Sequence, residues 1–169
     1  MRQPPLAKYH QFQDNTNDCA PHTVAIVVNA FRDQHVLEGD DVARAMNQPR
    51  LRLRLMPLVI RRIPNWATFP WGIVDELKAN GIPARWRAGA SPADLQMALA
   101  EGRVPMPISG EIKWPPNTTW AHVKPLAEID PQKGYGFVDP ANRDSISWQG
   151  KDDFEKLWKN FWNILVETL

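Results

Sequence analysis

Gln13-Asp14-Asn15-Thr16-Asn17-Asp18-Cys19-Ala20-Pro21-His22-Thr23-Val24-Ala25-Ile26-Val27-Val28-Asn29-Ala30-Phe31 is the stretch from which the rest of the chain can be read. Its first part is polar and aperiodic; its second, from Ala20 to Phe31, is strongly apolar. Asp18 stands where an N-cap would, Pro21 falls in a first turn where its missing N–H costs little, and Val24, Val27, Val28 and Phe31 recur at helical spacing. The pattern predicts a buried helix with Cys19 at its N-terminus. A thiol there is exposed to free N–H groups and to the helix dipole, both of which favour the thiolate. A lone cysteine is also commonly a small core residue, and the Asp18 carboxylate beside it opposes ionisation.

Working outward, a second short helix is expected after Asp40, through Val42 to Met46. From Arg50 to Arg62 the chain has five arginines and no acid, and Leu51-Arg52-Leu53-Arg54-Leu55 alternates with period two. This reads as an edge strand or extended loop, its basic face either solvated or turned to acidic substrate segments. Trp71 to Asn80 reads as a helix ended by Gly81, and Pro83 to Trp86 as extended chain. Ser91-Pro92 opens a helix running to about Glu101. Beyond it come strands at Val104 to Ser109, Ala121 to Ile129, Tyr135 to Val138 and Ser145 to Trp148. A helix at Asp152 to Lys159 and a strand at Asn163 to Val166 close the chain. Helices early and antiparallel strands late make an α+β pattern, with two halves facing each other across a cleft.

The whole-chain numbers limit what this fold can do. The 169 residues suit one domain, taken as 1–169, able to bury roughly 70% of its unfolded surface. A net charge of +1 gives no long-range field for nucleic acid or an anionic membrane, so neither is expected as a partner. One cysteine excludes an internal disulfide and a CxxC pair. Cys19 and His22 form a Cys-x-x-His pair without a second pair, so no metal and no cofactor is expected. GxSxG, GxGxxG and GxxxxGK[ST] are all missing. No apolar run reaches a membrane span, and Met1 to Pro5 has no apolar signal core; a cytoplasmic location is expected, with signal-independent secretion as the alternative. A monomer is expected.

A nucleophilic cysteine needs a base, and His10, His22, His35 and His122 are the choices. His22, three residues on from Cys19 in one helix, is poorly oriented to relay a proton across a substrate. His122 sits in a late strand that can face Cys19 across the cleft. Asp139, in Gly136-Phe137-Val138-Asp139-Pro140, ends the strand expected to pair with that of His122, and its carboxylate can hold the second ring nitrogen. Gln13, six residues before Cys19, can donate to a developing oxyanion together with the Cys19 N–H. Of the eight tryptophans, Trp71 and Trp120 are candidates to line a substrate cleft, with core roles as the alternative.

These residues resemble the papain-like cysteine peptidases, and among them the bacterial bacteriocin-processing peptidases, which cut double-glycine leaders, and their stand-alone relatives. The likeness rests on Gln13 to Pro21, on Trp120-Ala121-His122-Val123 and on Val138-Asp139-Pro140, in the family's order. It extends through Gly81, the Ser91 helix and Gly102-Arg103-Val104-Pro105, about residues 9 to 160. It implies a papain-like fold with Cys19 as nucleophile, His122 as general base and acid, Asp139 as orienting carboxylate and Gln13 as oxyanion donor. A peptide or protein would be the substrate, cleaved at a peptide or isopeptide bond through a thioester. The chain departs from the pattern at Ala20, where the family has glycine, and at Lys124-Pro125 after the histidine. Acyl transfer, glutamine deamidation of the kind done by some effectors of this fold, and a silent peptide-binding domain are the alternatives.

Overall fold

The computed structural model describes residues 3–48, 59–114 and 119–169. The Leu51 to Leu55 alternation lies outside the described residues. Among the described residues five α-helices and nine strands follow in the order α1 Cys19–Arg32, α2 Gly39–Asn47, β1 Arg62–Ile63, β2 Ala67–Thr68, α3 Pro70–Ala79, β3 Ala84–Arg87, α4 Pro92–Ala100, β4 Pro105–Glu111, β5 Trp120–Val123, β6 Leu126–Asp130, β7 Gly134–Phe137, β8 Ser147–Gln149, α5 Lys151–Lys159 and β9 Leu165–Thr168. Among the described residues no helix is long and apolar enough to cross a membrane.

Helix α1 is the centre of the helical half. Every residue from Ala20 to Ala30 is buried, so this helix is enclosed on all sides, and only at its end does Phe31 reach solvent. Its polar members are accounted for. Thr23 donates to the Val123 carbonyl, fastening α1 to β5, and Asn29 accepts from the Val36 and Leu37 N–H groups while donating to the Leu37 carbonyl. Asp33 ends the helix in the left-handed conformation. The Ser91 helix starts as expected, with Ser91 and Asp94 forming a reciprocal capping box.

A four-stranded antiparallel sheet in the order β3-β9-β4-β5 forms the other half, with β6-β7-β8 as a second antiparallel sheet. The last strand of the chain therefore lies between two earlier ones. Adjacent residues of β9 point to opposite faces: Val166 joins the core around α1, and Leu165 joins Leu126, Phe137, Phe154 and Trp158. The central sheet thus divides two apolar clusters, and the helical half packs on one side of it. At Gly110 of β4 the neighbouring strand comes so close that a side-chain carbon would run into the Trp120 carbonyl and the Phe161 ring, which keeps β4 flush against the strand of His122.

One strand expectation needs correction. Ala121 to Ile129 is not a single strand: it breaks at Lys124-Pro125 into β5, paired with β4, and β6, paired with β7. Pro125 has no N–H to give to a ladder, so the chain changes sheets there. Asp139 consequently does not sit on a strand paired with that of His122. It lies two residues past β7, drawn alongside the break by a Val138 N–H to Pro125 carbonyl bond of 3.0 Å.

Trp158 is wholly buried, stacks on Phe154 and donates to the Ile164 carbonyl at 2.8 Å. Trp158→Ala is expected to cost about 3–5 kcal/mol in urea denaturation. Trp114→Ala, at a side chain 88% exposed, is expected to stay within about 0.5 kcal/mol of wild type. Equal losses would contradict the placement of the second core.

Candidate active site

Cys19 is the first residue of α1, and the cap before it is not built as the sequence suggests. The Asp18 side chain makes no capping bond; its carboxylate pairs with the guanidinium of Arg62, which is buried. Arg62 therefore offsets the negative charge that otherwise opposes ionisation of the neighbouring thiol. The adjacent Arg61 is also buried, bridging Glu76 at 2.6 Å. These two arginines are neither a solvated face nor a patch for acidic segments.

His122, on β5, reaches Cys19 from the sheet side. Its Nε2 lies 2.6 Å from Asp139 Oδ1, and its side chain also hydrogen-bonds the Cys19 thiol. With Nε2 taken by the carboxylate, Nδ1 is the nitrogen left for sulfur. Asp139 is itself held by three donors: His122 and the Ala141 N–H on Oδ1, and Lys124 Nζ on Oδ2 at 3.0 Å. The structure thus brings together Cys19, His122 and Asp139 from three distant parts of the chain.

The electrostatics follow from these contacts. Burial pushes the Cys19 thiol up, but the His122 hydrogen bond and charge, with the Val123 and Ala20 N–H groups, bring it below its ordinary value. Burial pulls His122 down, yet Asp139 and Cys19 outweigh it and push the imidazole up to about 9. Burial would raise Asp139, but His122, Lys124 and the Ala141 N–H hold it well below the usual carboxylate range. All three shifts favour the same state, a thiolate beside an imidazolium.

Gln13 lies beside the thiol. Its backbone N–H donates to the Pro140 carbonyl at 2.8 Å, tying the segment before α1 to the one after Asp139. Its Nε2 donates to the Thr16 carbonyl at 2.7 Å, which leaves the second amide hydrogen uncommitted, and its Oε1 is buried without a partner. Gln13, Asn17, Cys19, Trp66, Thr68 and His122 are among the residues lining a cavity of about 100 Å³ at the sulfur. Trp71 and Trp120 do not line it. Trp71 stacks on Phe69 at 4.5 Å and donates to the Ile60 carbonyl, while Trp120 turns its Nε1 to Glu111. The tryptophan at the cavity is Trp66, carried by the β1–β2 hairpin, which Asn17 fastens down through the Asn65 carbonyl at 2.8 Å.

His22 is settled in another role. Its Nδ1 lies 3.0 Å from the Asp18 carbonyl oxygen, and its ring fills the space that a side chain at Gly39 would need. Sequence reasoning missed Lys124, Arg62 and Trp66. For Lys124 a signal existed, because residues two apart on an extended chain share a face, and Lys124 is two from His122. Arg62 and Trp66 carried none, since both reach the site through a hairpin whose position depends on non-local packing.

These shifts fix how the site's contribution to folding depends on pH. A raised His122 contributes stability that is complete below its ordinary 6.5 and is lost as pH rises through about 9. A lowered Cys19 contributes stability that is complete above its ordinary 9.0 and is lost as pH falls. Between those limits the two changes oppose each other, because the folded chain carries on His122 the proton that the unfolded chain carries on Cys19. Across pH 6.5 to 9 the two opposing changes offset each other, so the site's contribution is expected to vary less with pH there than that of either group alone. Cys19→Ala removes one side of the exchange, so its stability relative to wild type is expected to fall with rising pH across the window. Parallel curves in urea denaturation would contradict the exchange.

No protein-family model matches the sequence, and no curated protein matches it. Among solved structures the chain is similar to a crystal structure from Bacillus anthracis described as a "putative C39-like peptidase", with 12% identity and a TM-score of 0.67, over 100% of this chain and 98% of that one. At that identity the likeness carries the architecture, and the chain has the α+β fold of a papain-like peptidase, its helical half packed on an antiparallel sheet half with the Cys19 cavity between them.

Proposed function

We propose that this protein is a cysteine peptidase in which Cys19 is the nucleophile, His122 the general base and acid, and Asp139 the carboxylate that orients His122. The observation that carries the reading is the continuous hydrogen-bonded line from the Cys19 thiol through His122 to Asp139, at the wall of an open cavity. A purely structural histidine would gain nothing from a buried carboxylate on one nitrogen and a helix-start thiol on the other.

The chemistry runs as acyl transfer. The Cys19 thiolate attacks the carbonyl carbon of a substrate amide, forming a C–S bond and placing the electron pair on oxygen. The Cys19 N–H and the free Gln13 amide hydrogen stabilise that oxyanion. As the tetrahedral intermediate collapses, the C–N bond breaks and the leaving nitrogen takes a proton from His122 Nδ1. Water then adds to the thioester and gives a proton to His122, the C–S bond breaks, and the thiolate returns. Nε2 stays on Asp139 throughout, so the ring keeps its orientation through both proton transfers.

The substrate is a peptide or protein segment, bound without nucleic acid, membrane or cofactor. Cys19→Ala is expected to abolish cleavage of a peptide library while peptides still bind. Gln13→Ala is expected to lower kcat by about 10²-fold to 10³-fold. Mass spectrometry of wild type mixed with substrate should show an acyl adduct on Cys19 alone. Peptide binding with no product that depends on Cys19 would instead assign a silent binding domain, release of ammonia from glutamine a deamidase, and capture of the adduct by an added amine an acyltransferase.

A further inference from the structure

We infer that Lys124 is a positioning residue of this site, whose ammonium neutralises Asp139 so that a second buried anion, the Cys19 thiolate, can form beside it. This rests on the assignment of Cys19, His122 and Asp139 above. Lys124 is a surface residue type in an interior place, its side chain only 11% exposed, with Nζ 3.0 Å from Asp139 Oδ2 and 4.5 Å above the centre of the Phe137 ring. A lysine is buried at substantial cost unless its charge is matched. Here the match is the carboxylate that also binds the histidine.

The count of charge explains the arrangement. With Cys19 ionised and His122 protonated, the cluster holds two anions, Cys19 and Asp139, and two cations, His122 and Lys124. Without Lys124 the same cluster is a buried net negative charge, and a carboxylate resists the ionisation of a second acid close by. Lys124 also fixes the rotation of the carboxylate: with Oδ2 on the ammonium, Oδ1 is presented to His122 and to the Ala141 N–H. The backbone makes this possible, because Pro125 ends β5 and the Val138 N–H to Pro125 carbonyl bond draws Lys124 next to Asp139. The titratable groups that face this pair are Cys19 from α1, His122 from β5 and His10 from the segment before α1, whose Nε2 lies 3.1 Å from the Asp139 carbonyl oxygen.

The sign of the effect follows. Removing the cation makes the site more negative, so the thiolate becomes harder to form and the imidazolium harder to lose. Both steps in the pH profile of Cys19 alkylation by iodoacetamide are expected to move upward in Lys124→Met, by roughly half a unit to one unit. Lys124→Arg is expected to restore the wild-type profile. Lys124→Gln keeps a donor for Oδ2 without the charge and is expected to shift as Lys124→Met does; it also carries the test if the methionine variant fails to fold. A profile unchanged in position, whatever happens to its height or to thermal stability, would overturn the inference and leave Lys124 a packing residue. A wild-type profile with no lowered thiol value would overturn the underlying assignment, which is a different result.

Discussion

The hydrogen bond from His122 Nε2 to Asp139 Oδ1, at 2.6 Å, fixes which nitrogen faces Cys19 and which charge the ring prefers. Almost every unusual feature near it serves to hold Asp139 in place. The carboxylate takes three donors, the carbonyl of the same residue lies near His10, and the next carbonyl, on Pro140, takes the Gln13 N–H. The loop after β7 is thus tied to the segment before α1 and to the strand of His122. Remove the carboxylate and the ring keeps its place on the strand but loses the charge that keeps it protonated.

The architecture brings together residues that sequence order keeps apart. Cys19 belongs to an element enclosed by apolar neighbours, so its main chain is held rigidly while its thiol lies at the helix end beside the cavity. His122 belongs to the edge strand of a sheet whose centre is occupied by the last strand of the chain. Thr23 donating to the Val123 carbonyl joins these two at the point where they must be in register. A thiol and an imidazole that exchange a proton must be placed to within a fraction of an ångström, and rigid elements supply that better than loops do.

Much of this was legible in the sequence, and the reason is local. The α1 helix and the strands around Tyr135 declare themselves by periodicity, and the Ser91 helix by its cap and the proline that follows, all within a few positions. Cys19, His122, Asp139 and Gln13 were legible as chemical types at expected distances along the chain. What escaped was non-local: the insertion of β9 between β3 and β4, the pairing of Asp18 with Arg62, and the presence of Trp66 rather than Trp71 or Trp120 at the cavity. Lys124-Pro125 shows the limit clearly. Read as an interruption, it is the break that changes sheets and turns a lysine inward.

The state of the His122 ring tests the account most directly. Nitrogen NMR of the ring at pH 8, assigned by comparison with His122→Asn, reports whether one or both nitrogens carry a proton. The account requires a doubly protonated ring at that pH, losing its proton near pH 9, with Nε2 bonded to Asp139. A ring that is neutral at pH 8, with an ordinary transition near 6.5, would contradict the ion pair and with it the proposed catalytic role of Cys19.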